Sequence, residues 1–113
     1  MDRRDIGRRY ERRAAWRLRL RGWRIIAQGW TCPGGELDIV AVRWKTLLFV
    51  EVRQRSAGGA LASIDTPKMD RTLKAARSFI HRYGLERYTV RYDLIAYEAE
   101  DHCRHIKNVL APR

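Results

Sequence analysis

Apolar residues recur at every fourth position near the start of the chain, at Ile6, Tyr10, Ala14 and Leu18, and Gly22 follows the last of them. That spacing lays one stripe along a helix over residues 2–21, with the glycine as its stop. Residues 23–27 predict a short strand, whereas residues 28–35, which hold Pro33 and several glycines, predict a loop. Two strand-forming runs follow at 37–42 and 47–52, joined by a tight turn near Trp44 and Lys45. Beyond a small glycine-containing loop at 56–59, Asp65 or Thr66 is placed to cap a second helix whose first turn holds Pro67. Its apolar face is Met69, Leu73, Ala76, Ile80 and Tyr83, in alternating steps of four and three, and Gly84 ends it. A strand over 88–97, a charged turn over 98–102 and a last strand near 105–110 complete the order α-β-β-β-α-β-β. The fold class expected from this order is α/β in the wider α+β sense. It is a mixed central sheet with a helix for each face, in one domain spanning residues 1–113.

The alternation within the two central strands sharpens the picture. Leu37, Ile39 and Ala41 fall on one face of the first run; Glu36, Asp38, Val40 and Val42 fall on the other. In the second, Leu47, Phe49, Glu51 and Arg53 alternate with Leu48, Val50 and Val52. Both faces are apolar over most of their length, so the sheet is covered on both sides. A loop of two or four residues sets positions summing to 89 opposite one another, which brings Asp38 to Glu51 and Glu36 to Arg53. A three-residue loop separates the acids instead. Like charges opposed in a sheet are destabilising, and two half-buried carboxylates share a proton or recruit a cation. Mg²⁺ or Mn²⁺ suits such a pair, because a hard ion that keeps several waters needs only Asp38, Glu51 and a neighbouring carbonyl such as that of Val52. Such an ion binds phosphate and lowers the pKa of an attacking water. The competing reading is a simple Glu51–Arg53 salt bridge, with Glu36 and Asp38 solvated at a strand end.

Charge points to a partner. The chain has 113 residues with 24 Lys and Arg against 13 Asp and Glu, a formal net charge of +11, which attracts polyanions, nucleic acid first among them. No stretch reaches the ~20 apolar residues of a membrane span. The arginine-rich start, interrupted by Asp2, Asp5 and Glu11, lacks the apolar segment of a secretory signal. The expectation is a soluble cytoplasmic protein. Cys32 and Cys103 form no disulfide framework, and Cys103 with His102 and His105 matches no usual zinc spacing.

Five ordered stretches, GELDIVAV, LLFVEVRQR, SIDTPK, RYDLIAY and HIKNVL, together with the opening GRRYERRAAWRLRLRGWRII, resemble the YraN-like family of small uncharacterised bacterial proteins. That family falls within the restriction-endonuclease-like superfamily of PD-(D/E)xK nucleases. The resemblance implies an αβββαβ core with the acids on the second and third strands, Asp38 as first metal ligand and Glu51 as second. It places Arg53 where the superfamily pattern has lysine, Glu11 as a helix-borne acid completing the site, and Lys68 at a family lysine opening the second helix. The arginine is a departure: it stays charged and cannot act as a general base, although it can stabilise charge developing on a phosphate. Proton removal then falls to the metal site or to Lys68. Glu11 and Lys68 each have a plainer alternative, an ion pair with nearby arginines and a solvated helix position.

Arg55, Lys68, Arg71 and Lys74 line the approach from the second helix, and arginines from Arg3 to Arg17 line the first, surfaces suited to phosphates. No helix-turn-helix, finger or aromatic RNA motif suggests base-specific reading. Trp16 and Trp23, in regular elements, are read as core; Trp30 and Trp44, in loops, are open to base stacking. The function expected is a Mg²⁺- or Mn²⁺-dependent nuclease acting on DNA by structure rather than sequence, with a homodimer neither demanded nor excluded. The rivals are a nucleic-acid-binding module without catalysis, in a repair or recombination complex, and an RNA-binding protein.

Overall fold

The computed structural model describes residues 3–54, 66–98 and 102–109, with side chains from residue 8 in the first helix and residue 69 in the second. The elements are α1 (Arg3–Leu20), β1 (Arg24–Cys32), β2 (Gly35–Arg43), β3 (Thr46–Gln54), α2 (Thr66–Tyr83), β4 (Thr89–Tyr97) and β5 (Cys103–Ile106). The strands form one sheet in the order β1-β2-β3-β4-β5. Only β3 and β4, linked through α2, run parallel. This is the expected α+β fold, consistent with a restriction-endonuclease-like αβββαβ core. No helix among the described residues is long and apolar enough to cross a membrane.

Each helix covers one face of the sheet. Ala14, Ala15 and Leu18 of α1 pack with Trp23, Ile39, Ala41, Leu48, Val50, Ile95 and Tyr97. On the other face, Ala75, Ala76 and Phe79 of α2 pack with Leu37, Val40, Leu47 and Phe49. Both helices end as their glycines predict. Gly22 and Gly84 are left-handed, at φ 88° and 64°. The following amides, of Trp23 and Leu85, bond back to the carbonyls of Leu18 and Ile80, at 3.1 and 2.9 Å; this is a Schellman stop. At Trp23 it also buries the indole against Leu18.

Four expectations need correcting. The first strand runs on to Cys32, because Gly29 and Gly34, at φ 61° and 85°, bend and turn a hairpin rather than ending the pairing. Trp16 is 62% exposed, not core, since the α1 stripe turns Ala15 inward instead. The buried face of α2 is rotated onto Ala75, Ala76 and Phe79, and Tyr83 is exposed. The last strand is Cys103–Ile106: Asn108 is left-handed, at φ 58°, and its amide turns to a side chain on β4, ending the ladder.

Candidate active site

The central hairpin has the two-residue loop that the acids require. Arg43 pairs with Thr46 and Ile39 with Val50, all in the register summing to 89, so continuation sets Asp38 opposite Glu51. The regular pairing stops there. Asp38 Oδ2 accepts the Val52 amide at 2.9 Å, so a side chain takes a donor that the neighbouring backbone would otherwise receive.

A change of face accompanies this break. Leu37 packs with Val40 on the α2 side, while Ile39 and Ala41 pack on the α1 side. The expectation that Leu37, Ile39 and Ala41 share a face is therefore wrong. The cause lies in the partner strand. Gln28 pairs with Ile39 and Trp30 with Leu37, leaving left-handed Gly29 against Asp38. Ala27 and Trp30, three residues apart, accordingly face the same side. Both strands rotate at this point, and Asp38 sits on the kink.

Asp38 and Glu51 line one cavity of about 100 Å³, with Glu36 at the same wall. Phe49 and Tyr92, stacked at 5.4 Å, form its aromatic side, and Met69 and Thr72 of α2 face it. The helix can approach this closely because Gly35 precedes the acids: a β-carbon there would stand 2.6 Å from the Arg71 carbonyl. The Glu51 Oε1 to Arg53 Nε distance is 3.3 Å, between half-buried side chains. The ion pair anticipated as the plainer reading is thus present, inside the candidate site.

From the opposite helix, Glu11 enters the same field. Burial first, then the charges of Asp38 and Glu36, push its carboxyl up to about 7, against a smaller opposing pull from Arg8. Glu11 shares a second cavity with Glu36, Gln28 and Gly29, and with Arg8 and Arg12. Its neighbours include arginines, yet burial and the nearby acids outweigh them in its titration.

The side chains of Lys68 and the whole of Arg55 lie outside the described residues. Arg71 and Lys74 are exposed on α2, and Lys74 Nζ would stand 3.1 Å from a β-carbon at Gly34, so it extends over the β1–β2 turn. Among the described residues, no three His, Cys, Asp or Glu side chains are grouped to cage a metal. Two carboxylates lining one cavity offer a cation few protein ligands, which fits a hard ion that keeps its waters, such as Mg²⁺ or Mn²⁺, better than zinc.

One buried acid escaped the reading of the sequence. Asp93, 1% exposed, receives Arg91 Nε at 3.0 Å and Nη2 at 2.9 Å, His105 Nε2 at 2.7 Å and the Asn108 amide at 2.9 Å. Burial would raise its pKa, but the bonds from His105, Arg91 and Asn108 together hold it below the ordinary carboxylate value. This network and the 2.7 Å bond from the Val109 amide to the Tyr92 carbonyl fix Asn108 and Val109 beside the cavity, which Asp93 and Val109 both line. The available signal was an aspartate inside the apolar run YDLIAY with an arginine two positions before it.

Comparison with known proteins adds a family. Residues 10–97 match the uncharacterised protein family UPF0102. A UPF0102 protein of Sphingopyxis alaskensis is 39% identical over 107 residues, covering 94% of this chain and 92% of the relative. One from Rhizorhabdus wittichii is 40% identical over 104 residues, covering 91% and 88%.

Proposed function

The chain belongs to the uncharacterised protein family UPF0102, and from that footing we propose that it is a Mg²⁺- or Mn²⁺-dependent nuclease acting on DNA, selective for structure rather than sequence. The observation that supports this reading is the shared cavity of Asp38 and Glu51 at a break in the sheet, within a chain of net charge +11. A divalent ion bound there supplies Lewis acidity to a phosphate and acidifies a water.

The protein's own groups have separable tasks. The Val52 amide fixes the orientation of the Asp38 carboxylate. Arg53 holds a permanent positive charge 3.3 Å from Glu51, and it offsets charge that builds on a phosphate without exchanging protons. Burial and the charges of Asp38 and Glu36 push the Glu11 carboxyl up to about 7 without an ion; a cation at Asp38 would draw it down, so Glu11 adds a further carboxylate to the field that favours the ion. Arg71 and Lys74 hold the nucleic-acid backbone beside the cavity through charge.

The test is cleavage of branched, flapped and single-stranded DNA with Mg²⁺ or Mn²⁺. Cleavage that requires the ion and falls at least ~100-fold in Asp38→Ala, as expected when charge stabilisation is removed from the reacting centre, supports the enzyme. No turnover on any substrate, or full turnover in Asp38→Ala, removes it. The Glu51–Arg53 ion pair favours a second reading, a nucleic-acid-binding module without catalysis, in which arginine takes the place of the ion. That module binds the same DNAs and cleaves none.

A further inference from the structure

The far end of the central hairpin poses a different problem. Trp44 occupies the first position of the two-residue loop at φ 55°, a conformation glycine adopts freely and residues with a β-carbon avoid. Its side chain is 92% exposed, so packing does not compensate. Neither turn chemistry nor the core explains a large aromatic here.

Its surroundings are basic. Arg43 donates to the Arg21 carbonyl at 2.9 Å and lies over the Trp23 ring at 4.1 Å, with Arg91 5.2 Å from the same ring. Arg24 pairs with Val42, and the Lys45 carbonyl accepts the Thr89 amide at 2.8 Å. None of the residues joined to the tip by these bonds and pairings is acidic. Arg24 and Lys45 are exposed around it, and so is Arg21, whose Nη1 donates to the Arg17 carbonyl at 3.1 Å.

We propose that the hairpin tip is a binding site for an unpaired nucleobase, which stacks on Trp44 while Arg21, Arg24 and Lys45 hold the adjoining phosphates. A flat π-face offered beside cations is the chemistry by which single strands are held without base-specific hydrogen bonds. Trp44 lies six residue steps from Asp38 along the hairpin, about 20 Å at the usual strand rise. That span matches roughly six nucleotides at ~3.4 Å each. The substrate class is therefore a duplex interrupted by an unpaired segment about six nucleotides from the acids. The inference rests on nucleic acid being the ligand proposed above, but not on cleavage.

Fluorescence anisotropy of the full chain in EDTA, at fixed salt, tests it. The probes are a labelled blunt duplex and the same duplex with a single-stranded tail of DNA or RNA. The tail should tighten binding ~5- to 100-fold, the range of one or two stacked bases. Trp44→Gly should abolish that gain, leave blunt-duplex affinity within ~2-fold and not lower the Tm, because glycine suits the turn. Trp44→Phe should retain most of the gain. Equal gains from both tails assign recognition to the base, and a larger gain from either assigns the sugar as well. Equal binding of tailed and blunt duplexes by the wild type, a gain kept by Trp44→Gly, or a lowered Tm in that variant would overturn the site. Trp44-dependent binding to phosphatidylserine vesicles with no tail effect would do the same. Because no metal is present, a missing tail effect counts against the tip alone, whereas absent cleavage counts against the nuclease alone.

Discussion

Two sets of carboxylates lie in and against this sheet, and their surroundings set them apart. Asp93 is enclosed by Arg91, His105 and the Asn108 amide, which hold it ionised. Glu11, on α1, is half-buried in the field of Asp38 and Glu36, and its burial together with those charges holds it protonated up to about pH 7. Burial alone therefore does not mark a functional acid. Desolvation raises both, and the partners decide the outcome: cations and donors produce a structural anchor, whereas neighbouring acids produce a site with an affinity for positive charge.

Removing the anchor should have the largest effect on stability. Asp93→Asn leaves Arg91 and His105 facing a neutral group, and urea unfolding should reveal a loss of about 3 kcal/mol or more, as for other buried pairs broken from one side. A loss under ~1 kcal/mol would place Asp93 among the dispensable acids instead. Gly35→Ala should come next, at ~1–3 kcal/mol, because the added methyl meets the α2 backbone and must displace it. An unchanged Tm would mean that the helix does not pack so closely. Asp38→Asn should change stability by no more than ~1 kcal/mol: the amide oxygen can still accept the Val52 amide, and a charge repelling Glu11 is gone.

A further effect concerns pH, and it has opposite signs in the two regions. The Glu11 pKa rises from 4.5 to about 7 on folding, so between these values the folded chain binds the extra proton. Its contribution to stability is present below pH 4.5 and declines as pH rises towards 7. Asp93, with a depressed pKa, contributes stability above the unfolded aspartate value that is lost as pH falls through its folded value. In metal-free buffer, Glu11→Gln should flatten the pH dependence of Tm between 4.5 and 7 relative to the wild type. An identical slope in that variant would show that Glu11 titrates normally.

Much of this arrangement is legible in the sequence where local rules decide. The Trp44–Lys45 turn allows the register that opposes Asp38 and Glu51, and Gly22 and Gly84 mark the helix ends through the left-handed conformation they supply. What escaped depends on contacts between distant segments. Residues 28–32 read as loop because Gly29 and Pro33 suggest breaks, yet pairing with β2 carries the strand through to Cys32. The same glycine lets Leu37 change faces. The Asp93 network joins β4 to β5 and Asn108, and no spacing within YDLIAY announces those partners. Trp16 resembles a core residue by its place in a helix, but its orientation depends on how α1 lies on the sheet.

The most direct test of the acids as a cation site is calorimetric titration of the wild type, Asp38→Asn and Glu51→Gln with Mn²⁺. Binding by the wild type should weaken at least ~10-fold in each variant, the scale on which even outer partners of a metal affect affinity, while both variants keep their fold. Undiminished Mn²⁺ binding in the variants, or none in the wild type, would contradict it.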